Sequence, residues 1–157
     1  MAIAAVLGPK AGAAVLGGAM LVAFVALFPN ASRAADPTLG DWMTPDGAEV
    51  QIAPCANAVD RLCGRITRLK TPNDMAGQPL RDRANSDLKL RPRPLVGLLI
   101  LRDLRQVRTG GWTDGTIYDP GDGRTYDARL ATNPSGVLTV SGCVLVICRD
   151  QRWRRPQ

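Results

Sequence analysis

The sequence contains no histidine. Its absence excludes Ser-His-Asp and Cys-His catalytic arrangements and every metal site built on imidazole. There is a single glutamate, Glu49, so any pair of catalytic carboxylates has to come from aspartates. Aromatic residues make up 4% of the chain. Beyond residue 34 they are Trp42, Trp112, Tyr118, Tyr126 and Trp153, too few for the two interfacial girdles of an outer-membrane barrel. Runs of about ten alternating, lipid-facing residues are also missing. No phosphate-cradling glycine loop and no dinucleotide fingerprint occurs. Acidic residues are absent before Asp36.

That last gap coincides with a change of composition. From Met1 to Ala34 the only charges are Lys10 and Arg33, and Ala11 to Phe28 is uncharged and apolar. Pro29-Asn30 breaks the run, and Ser32-Arg33-Ala34 places small residues three before and one before a cut after Ala34. A basic start, an apolar middle and a small-residue end are the parts of a secretory signal, so residues 1–34 are expected to be removed on export. The alternative is an uncleaved anchor, since the apolar run is just long enough to span a bilayer. Gly12, Gly17 and Gly18 weaken its hydrophobicity. A lipid-anchored protein needs a cysteine just after the cut, and the first cysteine is Cys55. No stable membrane span is expected after cleavage.

Residues 35–157 are enough for one domain, with a core expected over about 39–155. All four cysteines lie there: Cys55, Cys63, Cys143 and Cys148. An even count in an exported chain points to disulfides. Of the three pairings, Cys55–Cys63 and Cys143–Cys148 are favoured, because each brackets a short, turn-rich segment. Loops of that size contribute roughly 2–3 kcal/mol each if unstrained. Zinc ligands are usually separated by two to four residues, which the first pair does not match.

Turn signals recur at short intervals. Alternation of Ala48, Val50 and Ile52 with Glu49 and Gln51 marks a half-buried strand. Further strands are expected at 39–43, 64–70, 95–101 (apolar and buried on both sides), 110–118, 124–130, 137–140 and 149–155. Thr44-Pro45-Asp46-Gly47, Asp119-Pro120-Gly121-Asp122-Gly123 and Asn133-Pro134-Ser135-Gly136 read as turns. Residues 54–60 read as a loop. Residues 71–94 form a long proline-rich loop, with a short helix expected near Asn85 to Leu90, capped by Asn85 or Ser86. Eight short strands joined this way predict an antiparallel sandwich or barrel, and the sequential hairpins favour an up-and-down meander.

The charge is uneven. Between Arg81 and Arg108 lie Arg81, Arg83, Lys89, Arg91, Arg93, Arg102, Arg105 and Arg108, opposed only by Asp82, Asp87 and Asp103. One reading is a patch for an anionic envelope ligand, centred on Arg81, Arg83, Lys89, Arg91 and Arg93. The other is a solvated loop whose arginines pair with the aspartates. Nucleic acid fits poorly, since the chain is expected to be exported and aromatics for stacking are sparse there. Asp114, Asp119, Asp122 and Asp127 surround one hairpin, where aspartate ordinarily satisfies turn amides. Their spacing does not fit a calcium loop.

Several stretches together resemble a family of exported bacterial proteins, domain of unknown function 2147. They are Gly40-Asp41-Trp42; Cys55 with Leu62-Cys63-Gly64-Arg65-Ile66; Asn85, Asp87, Leu90-Arg91, Arg93-Pro94-Leu95 and Gly97; Trp112, Gly115, Ile117-Tyr118-Asp119-Pro120, Asp122-Gly123 and Thr125-Tyr126; Leu138 and Gly142-Cys143; and Cys148-Arg149, Gln151 and Trp153-Arg154. The resemblance implies a lipocalin-like barrel in the cell envelope, and no particular reaction. The family's usual Asn-Pro-Asp-Pro is here Asn85-Ser86-Asp87-Leu88, a less rigid loop. Gly40-x-Trp42 is also similar to the lipocalin opening signature, whose tryptophan closes one barrel end against a basic residue of the last strand. On that resemblance Trp42, Trp153 and Arg154 are the barrel-closing residues.

These readings point to a periplasmic or secreted module, without cofactor or metal, that binds a small apolar or anionic ligand. A structural or interaction protein with a filled barrel comes second, and a hydrolase using carboxylates alone comes last. Intact-mass measurement of the exported protein checks the processing. The expected mass lacks residues 1–34, and four thiols become alkylatable only after reduction.

Overall fold

The computed structural model describes residues 36–157; the expected secretory segment 1–34 lies outside the described residues. Ala34–Gln157 is a compact unit by itself. It contains the whole described core and both disulfides, so it has what a domain needs to fold alone.

The strands are β1 (Gly40–Met43), β2 (Glu49–Cys55), β3 (Ala58–Arg68), β4 (Leu99–Gln106), β5 (Trp112–Asp119), β6 (Arg124–Thr132), β7 (Leu138–Val144) and β8 (Ile147–Trp153). They form one sheet in sequence order, each strand antiparallel to the next. The sheet curls until its first and last strands meet at one bridge, Met43 to Arg154, where the two residues exchange backbone hydrogen bonds of 2.7 and 3.0 Å. The expected eight-stranded up-and-down barrel is therefore the fold. Among the described residues most of β8 has no strand on its outer side, and its exposed Arg149, Asp150 and Arg152 discourage edge-to-edge pairing.

Alternation sets the core. Val50 and Ile52 of β2, Ala128 and Leu130 of β6, and Leu138 and Val140 of β7 point inward, while their neighbours face solvent. With Trp42, Leu62, Ile66, Ile100, Leu101, Leu104, Trp112 and Trp153 they form the buried core, while Tyr118, which follows the inward Ile117 in β5, is buried on the opposite face against Asp82 and Asn85. Gly115 is needed for this packing. A Cβ there would lie 2.3 Å from the Arg102 carbonyl oxygen and 2.7 Å from Leu104.

Three local expectations differ from the structure. Residues 54–60 are not a loop: β2 runs to Cys55 and β3 resumes at Ala58, because the Cys55–Cys63 disulfide spans the same antiparallel pair. The apolar stretch from Leu95 enters the sheet only at Leu99 and continues to Gln106, with Asp103 at φ 56° locally shifting the alternation. No helix forms at 85–90 among the described residues. Asn85 Oδ1 accepts the Asp87 amide (2.8 Å) and Asp87 Oδ1 accepts the Lys89 amide (2.9 Å), so two successive side-chain turns compete with the helix and win.

The connections sort to two ends. The closed end carries residues 36–39, the β2–β3, β4–β5 and β6–β7 turns, and the C-terminal residues. There the Trp42 indole N–H donates to the Thr38 carbonyl (2.8 Å). The Arg155 guanidinium lies 3.9 Å from the Trp42 ring centroid and donates to the carbonyls of Pro37, Leu39 and Asp41. The cation over Trp42 is thus Arg155, one residue beyond the expected Arg154. Strand alternation explains the offset: Trp153 points inward, Arg154 outward, and Arg155 returns to the side of Trp42. Arg155→Ala is expected to lower stability by about 1–2 kcal/mol, and Arg154→Ala by less than about 0.5 kcal/mol, both read from thermal unfolding.

Candidate functional site

The opposite end carries the β1–β2, β5–β6 and β7–β8 turns and the long β3–β4 connection, residues 69–98. The C-terminal end of this loop is tied to β3. The Gly97 amide donates to the Ile66 carbonyl (2.7 Å) and the Ile66 amide to the Leu98 carbonyl (3.0 Å). Midway the loop pairs with itself, Arg81 opposite Pro94, and the Leu95 amide donates to the Leu80 carbonyl (2.9 Å).

At its centre Asp82 is 0% exposed. One carboxylate oxygen accepts the Tyr118 hydroxyl of β5 at 2.6 Å. The other accepts Asn85 Nδ2 (2.9 Å), Arg93 Nε (2.8 Å) and Arg93 Nη2 (2.6 Å). Asn85 Nδ2 also donates to the Tyr118 hydroxyl oxygen (2.9 Å), and the Arg93 guanidinium sits 5.4 Å from the Tyr118 ring centroid. The Arg91 side chain donates to the Asn85 carbonyl (2.8 Å). Every buried side-chain polar atom among the described residues has a partner. A charge kept from water survives only when paired in this way. Burial alone pushes the Asp82 carboxyl up, but the Tyr118, Asn85 and Arg93 hydrogen bonds and the Arg93 charge outweigh it and hold it below the ordinary carboxylate range. Burial, followed by the bond to Asp82, pushes the Tyr118 hydroxyl up.

The loop also rests on the β5–β6 turn. Gly123 has φ +74°, and a Cβ there would meet the Ala84 carbonyl oxygen at 1.9 Å. Both the backbone conformation and the close contact require glycine.

The basic residues singled out from the sequence divide between two roles. Arg91 and Arg93 turn into the loop, and Arg81 donates to the Pro92 carbonyl. Arg83 lies 3.4 Å from Asp74 on the surface, and Lys89 is exposed. They do not converge on one point. What the fold does bring together is Arg93 with Arg65 of β3 and Arg102 of β4. These three line an open groove of about 330 Å³ with Pro94, Val96, Leu98 and Leu99. Arg65 is held by a hydrogen bond to the Gly97 carbonyl. A second open groove, about 440 Å³, lies at the closed end beside Trp42, where Arg155 is already committed to backbone carbonyls.

The hairpin aspartates are occupied locally. Asp119 accepts the Gly121 amide (2.8 Å) and Asp122 the Arg124 amide (2.8 Å), while Asp114 occupies a bulge at φ 57°. No group of three metal-ligating side chains occurs among the described residues. The cysteines are joined as Cys55–Cys63 and Cys143–Cys148.

Asp82 and Tyr118 did not stand out in the sequence. Asp82 lies between Arg81 and Arg83 and reads there as a surface counter-charge. Its distinguishing partner is 36 residues away, on a strand.

Removing the Tyr118 hydroxyl (Tyr118→Phe) is expected to cost about 1–2 kcal/mol, and Asp82→Ala, which strands the Arg93 charge, about 3 kcal/mol, by denaturant unfolding. The unfolded chain takes up a proton at this carboxyl more readily than the native one. Its stabilising contribution is therefore complete above about pH 4 and is lost as pH falls through the native value. In Tyr118→Phe that acid-dependent loss should shrink.

Among solved structures, protein HP1028 from Helicobacter pylori, described as belonging to the lipocalin family, is similar to this chain. It is 23% identical with a TM-score of 0.63, over 76% of this chain and 82% of that one. At that identity the likeness shows the fold alone. The chain has no match among curated proteins. Residues 40–155, from the first strand to Arg155, match the family described as "Uncharacterized protein conserved in bacteria (DUF2147)", and the chain belongs to that family.

Proposed function

We propose that the protein is a non-enzymatic binding module of the bacterial envelope that takes a small anionic amphiphile in the groove between β3, β4 and the end of the long loop. The observation carrying this reading is the lining of that groove: three guanidinium groups around an apolar wall of Pro94, Val96, Leu98 and Leu99. Ligand sites combine a mostly apolar surface with a few placed polar groups, and this volume is at the small end of their range. Arg65 and Arg93 are positioned by hydrogen bonds that leave other N–H groups unused, which lowers the ordering cost of binding. Arg102 is exposed and makes no ion pair among the described residues.

The ligand is placed in this outer groove because the inner face of the sheet is occupied by core side chains. The same filled interior favours a second reading, an envelope interaction protein that holds no small molecule. In either case residues 1–34 serve as the export signal and the domain works in the periplasm or outside the cell. The two disulfides, which persist where thiols are oxidised, support that location.

Titration with lauric acid and with lysophosphatidylglycerol, followed by calorimetry and native mass spectrometry, tests the groove. Binding of at least one is expected, with Arg102→Glu weakening it roughly tenfold or more. An unaltered affinity in Arg102→Glu refutes the groove, and no binding of either amphiphile favours the filled-barrel reading.

A further inference from the structure

The β7–β8 hairpin breaks a local rule. Its two-residue turn, Leu145-Val146, joins paired residues Val144 and Ile147, and Leu145 has φ +55°. Such turns favour Asn, Asp or Gly, because a side chain like leucine is strained at positive φ. All four residues are apolar, and they are 58%, 85%, 92% and 77% exposed in chain order. The Cys143–Cys148 disulfide closes the hairpin directly behind them and fixes the tip. Residues that suit neither the turn nor water indicate a contact made outside the chain.

The tip lies at the same end of the barrel as the long loop. That loop contributes exposed Met75, Leu88, Leu90 and Val96. Of the large exposed hydrophobic residues among those described, only Val59 and Val107 belong to the closed end. Leu88-Lys89-Leu90-Arg91 alternates apolar and basic residues, and Arg83 stands nearby in the chain. The nearest carboxylates to the tip in the ladder are set back from it, Asp127 opposite Cys143 and Asp150 opposite Ser141.

We propose that this end of the barrel docks on an anionic phospholipid bilayer, with Val144–Ile147 inserted among the acyl chains and Lys89 on the head groups. A convex four-residue tip offers little area for a protein partner, which usually covers about 800 Å² per side. A bilayer accepts a protruding apolar tip of any outline, and basic side chains beside it add attraction to anionic lipid. Residues 35–157 hold 18 basic and 14 acidic residues, a net charge of +4, which has the sign that this requires. The proposal rests on the hairpin and the loop surface, independently of the groove.

Flotation of the 35–157 unit with vesicles of phosphatidylglycerol and phosphatidylethanolamine, compared with phosphatidylcholine alone, tests it. The N-terminal apolar run is omitted because it would bind lipid by itself. The domain is expected to float with the anionic vesicles and to be released by salt. Replacing the turn with Asn-Gly (Leu145→Asn with Val146→Gly) puts at 145 a residue that tolerates its positive φ, so thermal stability should be kept while partition falls at least about tenfold. Lys89→Glu should lower partition roughly fivefold or more. Amphiphile binding in the groove should be unchanged in the Asn-Gly variant, so failure of one proposal is distinguishable from failure of the other. The proposal is overturned if the domain stays unbound with anionic vesicles, or if the Asn-Gly variant floats as well as the parent. It is also overturned if, without lipid, the parent sediments as a dimer that this variant converts to monomer, since the tip is then an interface between copies.

Discussion

A carboxylate taken fully out of water governs one end of this molecule. Asp82 cannot stay charged there unless all its neighbours are in place. Asn85 and Arg93 come from its own loop, and Tyr118 comes from the middle of the sheet. The loop segment must therefore lie across the β5–β6 side for the group to be paired, and once it does, the loop has one position. Gly123 permits the approach, and Arg91 braces the turn at Asn85. The groove inherits its shape from this arrangement, because Arg93 pairs with Asp82 and lines the groove as well.

The two ends of the barrel solve different problems. At the closed end a single cation, Arg155, lies over Trp42 and gathers three backbone carbonyls, sealing the sheet where β1 and β8 meet. That end exposes few large hydrophobic residues. The other end combines a rigidly held basic loop with an apolar, disulfide-backed hairpin tip. The asymmetry puts both the groove and the proposed lipid contact on one side of the domain.

Much of the fold was legible in the sequence because its signals are local. Alternation at Ala48, Val50 and Ile52, the Asp119–Gly123 turn and the paired cysteine spacings each report on a few neighbouring residues, and they suffice for an eight-stranded meander. The resemblance carried by Gly40-x-Trp42 and the later motifs supplied the barrel. The candidate site was legible only in part. The basic stretch was visible, but the separation of Arg93, which turns in to Asp82, from the exposed Arg83, Lys89 and Arg91 was not. That division depends on Tyr118, which propensity describes only as a strand residue. Arg155 was missed in favour of Arg154 by one step of strand alternation. The helix expected at 85–90 failed because Asn85 and Asp87 cap turns as readily as they cap helices.

Native-state hydrogen exchange tests most directly whether the Asp82 cluster fixes the loop. The Asp82, Leu95 and Gly97 amides, each bonded to a backbone carbonyl, should show protection approaching that of the sheet amides, well above the exposed loop amide at Met75. If Asp82 and Leu95 exchange as fast as Met75, the loop peels away from an intact barrel, and the buried carboxylate is not what holds this end together.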